Sequence, residues 1–178
     1  MRKVLALGIL AATLAGTACS HHAASVSPRA VRLPRILPGD PPQIRAGKLA
    51  GYIQHRWPRI TIDQIEADPK GTVVQFQDHP RFDYTIKDPD EYQAHVEHLT
   101  GDLAQASVEL LKLTMRYFPR LQYASVWQDS QLKAYWSREG IDAMASPAAY
   151  RSYHSYLKLI MTAQFPPLGA DPPPAPTS

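Results

Sequence analysis

Glu91, His95 and His98 stand at i, i+4 and i+7 in the run DEYQAHVEHL. On a helix turning about 100° per residue they point within about 60° of one another. Two imidazoles and a carboxylate on one helix face are a ligand set for Zn²⁺ or another divalent cation, with His79 placed to join from a loop. That set would support metal-assisted hydrolysis. The competing reading is a polar helix shoulder with chance spacing, because the motif is not H-E-x-x-H and positions no general base.

Other chemistry-bearing residues are more scattered. His21-His22 is a flexible metal-binding pair or plain linker. Asp78-His79 precedes Pro80 in what reads as a turn, where an Asp serves a local backbone hydrogen bond before it serves catalysis. Trp127, Tyr135 and Trp136 are either a stacking platform for sugars or large residues filling two strand faces. The chain has no G-x-S-x-G elbow, phosphate-binding glycine loop or CxxC pair. No cofactor is expected.

Charge is unevenly distributed. The 178-residue chain carries +3 overall. Between Arg29 and Arg59 seven basic residues face Asp40 alone, a local +6, and from Ile60 to Ser178 the balance is −5. A nucleic-acid role would require a basic folded face, so none is expected. Arg29, Arg32 and Arg35 recur every third residue among Pro28, Pro34 and Pro38. Polyproline II has three residues per turn, so these guanidinium groups would line one side of an extended arm. Such an arm is a semi-rigid spacer or an anion-binding strip facing phospholipid, lipopolysaccharide or wall carboxylates.

The single cysteine gives an address. Met1-Arg2-Lys3 precedes an apolar run from Val4 to Gly16, too short for a permanent membrane span, and LAGTACSHH follows with Cys19 directly after small residues. This layout resembles bacterial lipoprotein precursors. The resemblance covers about the first twenty positions. It implies a signal peptide over 1–18, cleavage before Cys19, and lipidation of that cysteine. It also implies a place in the bacterial cell envelope, and Ser20 after the cysteine implies an outer-membrane site facing the periplasm in a Gram-negative organism. One thiol used for lipid leaves no disulfide framework for the remainder.

The elements that must position these residues follow from periodicity. Residues 19–41 are expected to be a lipidated N-terminus and Pro/Arg-rich linker, 42–165 one folded domain, and 166–178 a disordered Pro-rich tail. A short helix from Pro42 to Trp57-Pro58 carries Ile44, Leu49, Tyr52 and Ile53. Strands are expected at 59–67 and 71–78 around the turn Asp68-Pro69-Lys70-Gly71, with a third over RFDYTIKD. Asp88-Pro89-Asp90-Glu91 starts a long helix whose stripe runs through Tyr92, Val96, Leu99, Leu103, Ala106, Leu110, Leu113 and Tyr117, with Gly101 opposite it. A hairpin turns near Gln128–Gln131, with a helix after Ser130 as the alternative. A last helix from Ser146-Pro147 carries Tyr150, Tyr153, Leu157, Ile160 and Met161. The expected fold is therefore α+β, an antiparallel sheet of about five strands covered on one face by helices, in the order α-βββ-α-ββ-α.

Two functions are compatible with this. The first is a membrane-anchored, monomeric, non-catalytic binding or assembly module that recruits an envelope protein or wall polymer. The second is a periplasmic metal-assisted hydrolase using the helix histidines. The absence of any nucleophile or base arrangement favours the first.

Overall fold

The computed structural model describes residues 28–128 and 131–163. The expected signal peptide over 1–18, Cys19, His21-His22 and the Pro-rich tail lie outside the described residues. The elements are α1 (Pro42–Arg56), β1 (Ile60–Ala67), β2 (Val73–Pro80), α2 (Pro89–Tyr117), β3 (Tyr123–Gln128), β4 (Gln131–Ser137), α3 (Arg138–Ala143), a 3₁₀ turn (Pro147–Ala149) and α4 (Tyr153–Thr162). The class is α+β. The sheet has four strands in the order β1-β2-β3-β4.

Two expectations about the sheet are corrected. The third strand is absent: RFDYTIKD is a loop in which Phe82 and Tyr84 are 37% and 73% exposed. Its polar residues explain why. Asp83 Oδ1 accepts from both the amide and hydroxyl of Thr85, and these local bonds take the place of ladder bonds. Without that strand, α2 directly follows β2 and returns the chain along the sheet, so β3 pairs with β2 in parallel. The other two pairings, β1–β2 and β3–β4, are antiparallel, which makes the sheet mixed. The β3–β4 hairpin is as expected, and residues 131–137 are strand. Ser137 then caps α3 by accepting from the Gly140 amide.

Local chemistry sets the two tight starts. In the β1–β2 turn, Asp68 accepts backbone bonds from Lys70, Thr72 and Val73, while Gly71 takes a φ of +68° that a side chain would resist. Burial opposes ionisation of Asp68, but these bonds hold its carboxyl below the usual range. At the start of α2, Asp88 accepts from the Glu91 amide and Pro89 occupies the first helical position.

α1 packs on β1 and α2 on β2, side by side, over the sheet face formed by Ile62, Val74, Phe76, Ala124 and Trp136. In α1, Leu49, Tyr52 and Ile53 are buried, whereas Ile44 stays 50% exposed. The second half of α2 is buried more broadly than one stripe: Ala104, Val108 and Leu111 are enclosed as well as Leu99, Ala106 and Leu110. Neighbours on both flanks, α1 on one and α3 and α4 on the other, account for this. Leu103 and Tyr117, expected in the stripe, are only half-buried. The apolar side of the last helix is also corrected. Leu157 and Met161 are exposed and Leu159 is buried, while Tyr150 is buried at the end of the 3₁₀ turn. The side chains of Tyr153 and Ile160 lie outside the described ones.

Gly101 is not on an open surface, as the stripe implied, but buried against the backbone of Arg151. A Cβ there would stand 2.8 Å from the Arg151 carbonyl oxygen. Gly101→Ala in an exposed helix would be stabilising by about 1 kcal/mol. Here the opposite is expected, a loss of about 1–2 kcal/mol, because a main-chain segment must move. Thermal unfolding of the variant checks the sign.

Candidate functional site

The described part of the arm is docked, not free. Residues 28–40 run antiparallel along α1 as a strap. At its start, the Arg29 amide donates to the Arg56 carbonyl at 3.0 Å and Arg56 Nη1 returns a bond to the Arg29 carbonyl at 2.9 Å. In its middle, Lys48 Nζ donates to the Arg35 carbonyl at 3.1 Å. Near its end, Arg45 donates to the carbonyls of Pro38 at 2.6 Å and Asp40 at 2.8 Å, and to that of Tyr117 at the end of α2 at 3.1 Å. Extended backbone has no internal partners for its carbonyls, and three cationic side chains supply them. Val31 and Ile36 pack against the core.

From Pro28 to Arg35 exposure along the strap has a period of three. Pro28, Val31 and Pro34 are half-buried, and Arg29, Arg32 and Arg35 are exposed. That is the repeat of polyproline II, and it sets successive guanidinium groups about 9 Å apart along the outward side. All three arginines are exposed, as are Ala30 and Leu33 between them. Their support was not foreseen: of the seven basic residues in this region, Arg45, Lys48 and Arg56 face inward as clamps.

Two carboxylates anchor the clamps. Asp40 takes Lys48 Nζ at 2.6 Å, and that bond, with the Leu37 amide, holds its carboxyl below the usual range. Glu109, from the middle of α2, accepts from Tyr52 Oη at 2.7 Å, Arg56 Nε at 2.9 Å and Trp57 Nε1 at 3.0 Å. Burial, then the bond to Glu109, pushes the Tyr52 phenol up to about 12. Glu109 therefore fixes α1 to α2 and fixes the residue that holds the strap's near end. A cleft of about 640 Å³ opens there, lined by Pro28, Arg56, His98, Asp102, Glu109 and Arg151 among others. Burial raises the Asp102 pKa, opposed by Arg59 and His98.

The proposed metal ligands are not brought together. His95 Nε2 accepts the Asp83 amide at 3.0 Å, so this lone pair holds the 81–88 loop. His98 Nδ1 lies 3.3 Å from the Ala94 carbonyl on its own helix, and Glu91 is exposed at the helix start. His79 pairs instead with Asp63, Nδ1 to Oδ2 at 2.6 Å, across β1 and β2. Among the described residues no group of three or more His, Cys, Asp and Glu side chains is arranged to hold a metal ion. The spacing was right for one helix face, but the neighbouring loop takes up the central histidine.

The aromatic platform is also not formed by the described side chains. Tyr135 and Trp136 alternate onto opposite faces of β4. Trp136 is buried with Nε1 donating to Thr162 Oγ1 at 3.2 Å, and Tyr135 meets Tyr123 edge-on at 6.0 Å. The Trp127 side chain lies outside the described ones. Asp78 does not serve a turn: it faces the helices and accepts from Ser107 Oγ of α2 at 2.7 Å. Glu109, Ser107 and the clamp residues were missed because each is a single polar residue whose partner is distant in sequence. The sole signal was the cluster of seven positive charges around one Asp.

No protein-family model matches the chain, and neither a curated protein nor a solved structure is similar to it.

Proposed function

We propose that this protein is a lipid-anchored lipoprotein of the bacterial envelope, cleaved before Cys19 and acylated on its sulfur. Its folded domain acts as a non-catalytic binding or assembly module at the membrane surface, facing the periplasm from the outer membrane in a Gram-negative cell. The reading begins from the small residues before the only cysteine. The docked strap is the structural observation that supports it. Nine peptide bonds join Cys19 to Pro28, the first described residue of the docked strap. Even fully extended they reach about 30 Å. A free linker to residue 41 would have more than doubled that reach, so a domain so tethered acts beside the bilayer.

The hydrolase reading is carried no further, since His95 Nε2 is engaged by the loop, His79 pairs with Asp63, and among the described residues no group of three or more ligands is arranged for a metal ion. Acylation is tested by growing cells expressing the full chain with an alkynyl fatty acid. The wild type should be labelled and the Cys19→Ala variant should not, and only the wild type should lose the signal peptide to the lipoprotein-specific peptidase. Equal labelling of both proteins overturns the reading. Two or three acyl chains are needed for firm anchoring, each buried CH₂ contributing about 0.8 kcal/mol.

A further inference from the structure

The strap's outward side carries two kinds of side chain. Arg29, Arg32 and Arg35 are exposed, and none of the hydrogen bonds or salt bridges among the described residues engages their guanidinium groups. Between and beyond them, Leu33 and Leu37 are 45% and 46% exposed, and Ile44 on the adjoining α1 is 50% exposed. Leu33 follows Arg32 directly and shares its exposure, and past Arg35 the repeat breaks, with Ile36 turned to the core and Leu37 turned out. A wall polymer or an acidic peptide would use the guanidinium groups but leave the leucines in water. A bilayer uses both, with phosphates for the arginines and the acyl boundary for the leucines, the combination found in interfacial membrane-binding segments.

Charge fixes the orientation. Arg29, Arg32 and Arg35 put three exposed positive charges on the strap, while the sequence from Ile60 onward carries −5, so an anionic surface attracts the strap side more than the rest. The tether allows it, because residue 28 is within about 30 Å of Cys19.

We propose that the strap, residues 28–40, docks the domain side-on onto an anionic phospholipid bilayer, with Arg29, Arg32 and Arg35 at headgroup phosphates and Leu33 and Leu37 at the acyl boundary. This rests on the lipid-anchor reading and names the surface on which the module lies. Docking would hold the strap side toward the lipid and present the far side of the sheet and helices to the periplasm.

The test places a polarity-sensitive fluorophore on Leu33→Cys or, in a second variant, Leu37→Cys, with Asp90→Cys at the start of α2 as the remote control. Each full-length protein is purified from membranes and reconstituted into vesicles of phosphatidylglycerol with phosphatidylethanolamine, or of phosphatidylcholine alone. Emission from 33 and 37 should shift to the blue in anionic vesicles alone, and emission from 90 in neither. Arg29, Arg32 and Arg35 all changed to Gln should weaken insertion roughly a hundredfold, at about one kcal/mol per near-surface arginine. Raising salt from 0.1 M to 1 M, which shortens the screening length from about 10 Å to about 3 Å, should do the same without any substitution. Water-like emission at both positions in anionic vesicles overturns the proposal, as does an equal shift in phosphatidylcholine or a shift produced by purified sacculi in place of vesicles. The anchor is scored separately. A chain with no introduced cysteine takes up dye only if Cys19 is unacylated, and in that event the strap is still read in a Cys19→Ala background.

Discussion

Glu109→Ala is expected to destabilise the domain by about 3–5 kcal/mol. The substitution removes the acceptor for Tyr52 Oη, Arg56 Nε and Trp57 Nε1 together. Tyr52 is 7% exposed and Trp57 3%, so neither donor can turn to water without opening the junction of α1 and α2. Stranding buried donors costs about 1–3 kcal/mol each, and breaking a buried ion pair about 3–5 kcal/mol. The Arg56 side chain keeps 27% exposure, which relieves part of its isolation and places the loss in the lower half of the range. Glu109→Gln keeps an acceptor for Tyr52 and should cost about half as much. Urea unfolding of both variants checks the order, with the midpoint falling and the slope unchanged. One further readout ties the loss to the strap. Arg56 also holds the Arg29 carbonyl, so Glu109→Ala should expose Arg29 and Arg32 to trypsin while the folded population remains high.

Periodicity carried most of the fold. The stripe from Leu99 onward and the Asp88-Pro89 start located α2, the alternation of Ile60, Ile62, Val74 and Phe76 located β1 and β2, and Pro58 ended α1. What failed was reading alternation without asking where backbone bonds would go. Phe82, Tyr84 and Ile86 alternate, but Asp83 and Thr85 satisfy the backbone locally and the strand does not form. That one error made the sheet antiparallel on paper, since a strand inserted before α2 reverses the sense of β3. Gly101 looked harmless because only the stripe's far side was considered, and nothing local announces that Arg151 will pack there.

The candidate site was half legible. A three-residue repeat of arginines needs no tertiary information, because polyproline II geometry is local. Whether that repeat hangs free or lies on the domain depends on Lys48 reaching Arg35 and Arg56 reaching Arg29, contacts 13 and 27 residues apart in the chain. Composition counted those cations as part of the same charge as the exposed ones. Structure separates them into inward clamps and an outward row.

Asp78→Asn is expected to stabilise the domain at neutral pH and to have little effect at pH 4. Asp78 stands on the helix-facing side of β2, where burial pushes its carboxyl up to about 6; the bonds from Ser107 Oγ and its own amide and the nearby His79 oppose the rise, and Asp63 adds to it. A folded-state pKa above the unfolded value of 3.8 means that the native fold favours the neutral acid. Its contribution is complete below about pH 4, is lost as pH rises from about 4 to 6, and stays lost above that. The gap is worth about 3 kcal/mol at 1.36 kcal/mol per unit, a ceiling because the residue is half-buried rather than enclosed. Asn keeps an oxygen for Ser107 Oγ without the charge, so the variant should gain up to that amount at pH 7–8. Other carboxylates such as Asp40 and Asp68 have lowered values and make the fold more stable with rising pH, so the parent's own pH profile mixes opposing terms. The difference in unfolding free energy between variant and parent isolates Asp78. It should rise between pH 4 and 6 and then level off. A difference that is flat with pH would mean that Asp78 is not titrating against the fold, and a loss at neutral pH would mean that its charge is used by Ser107 or His79 to hold β2 against α2.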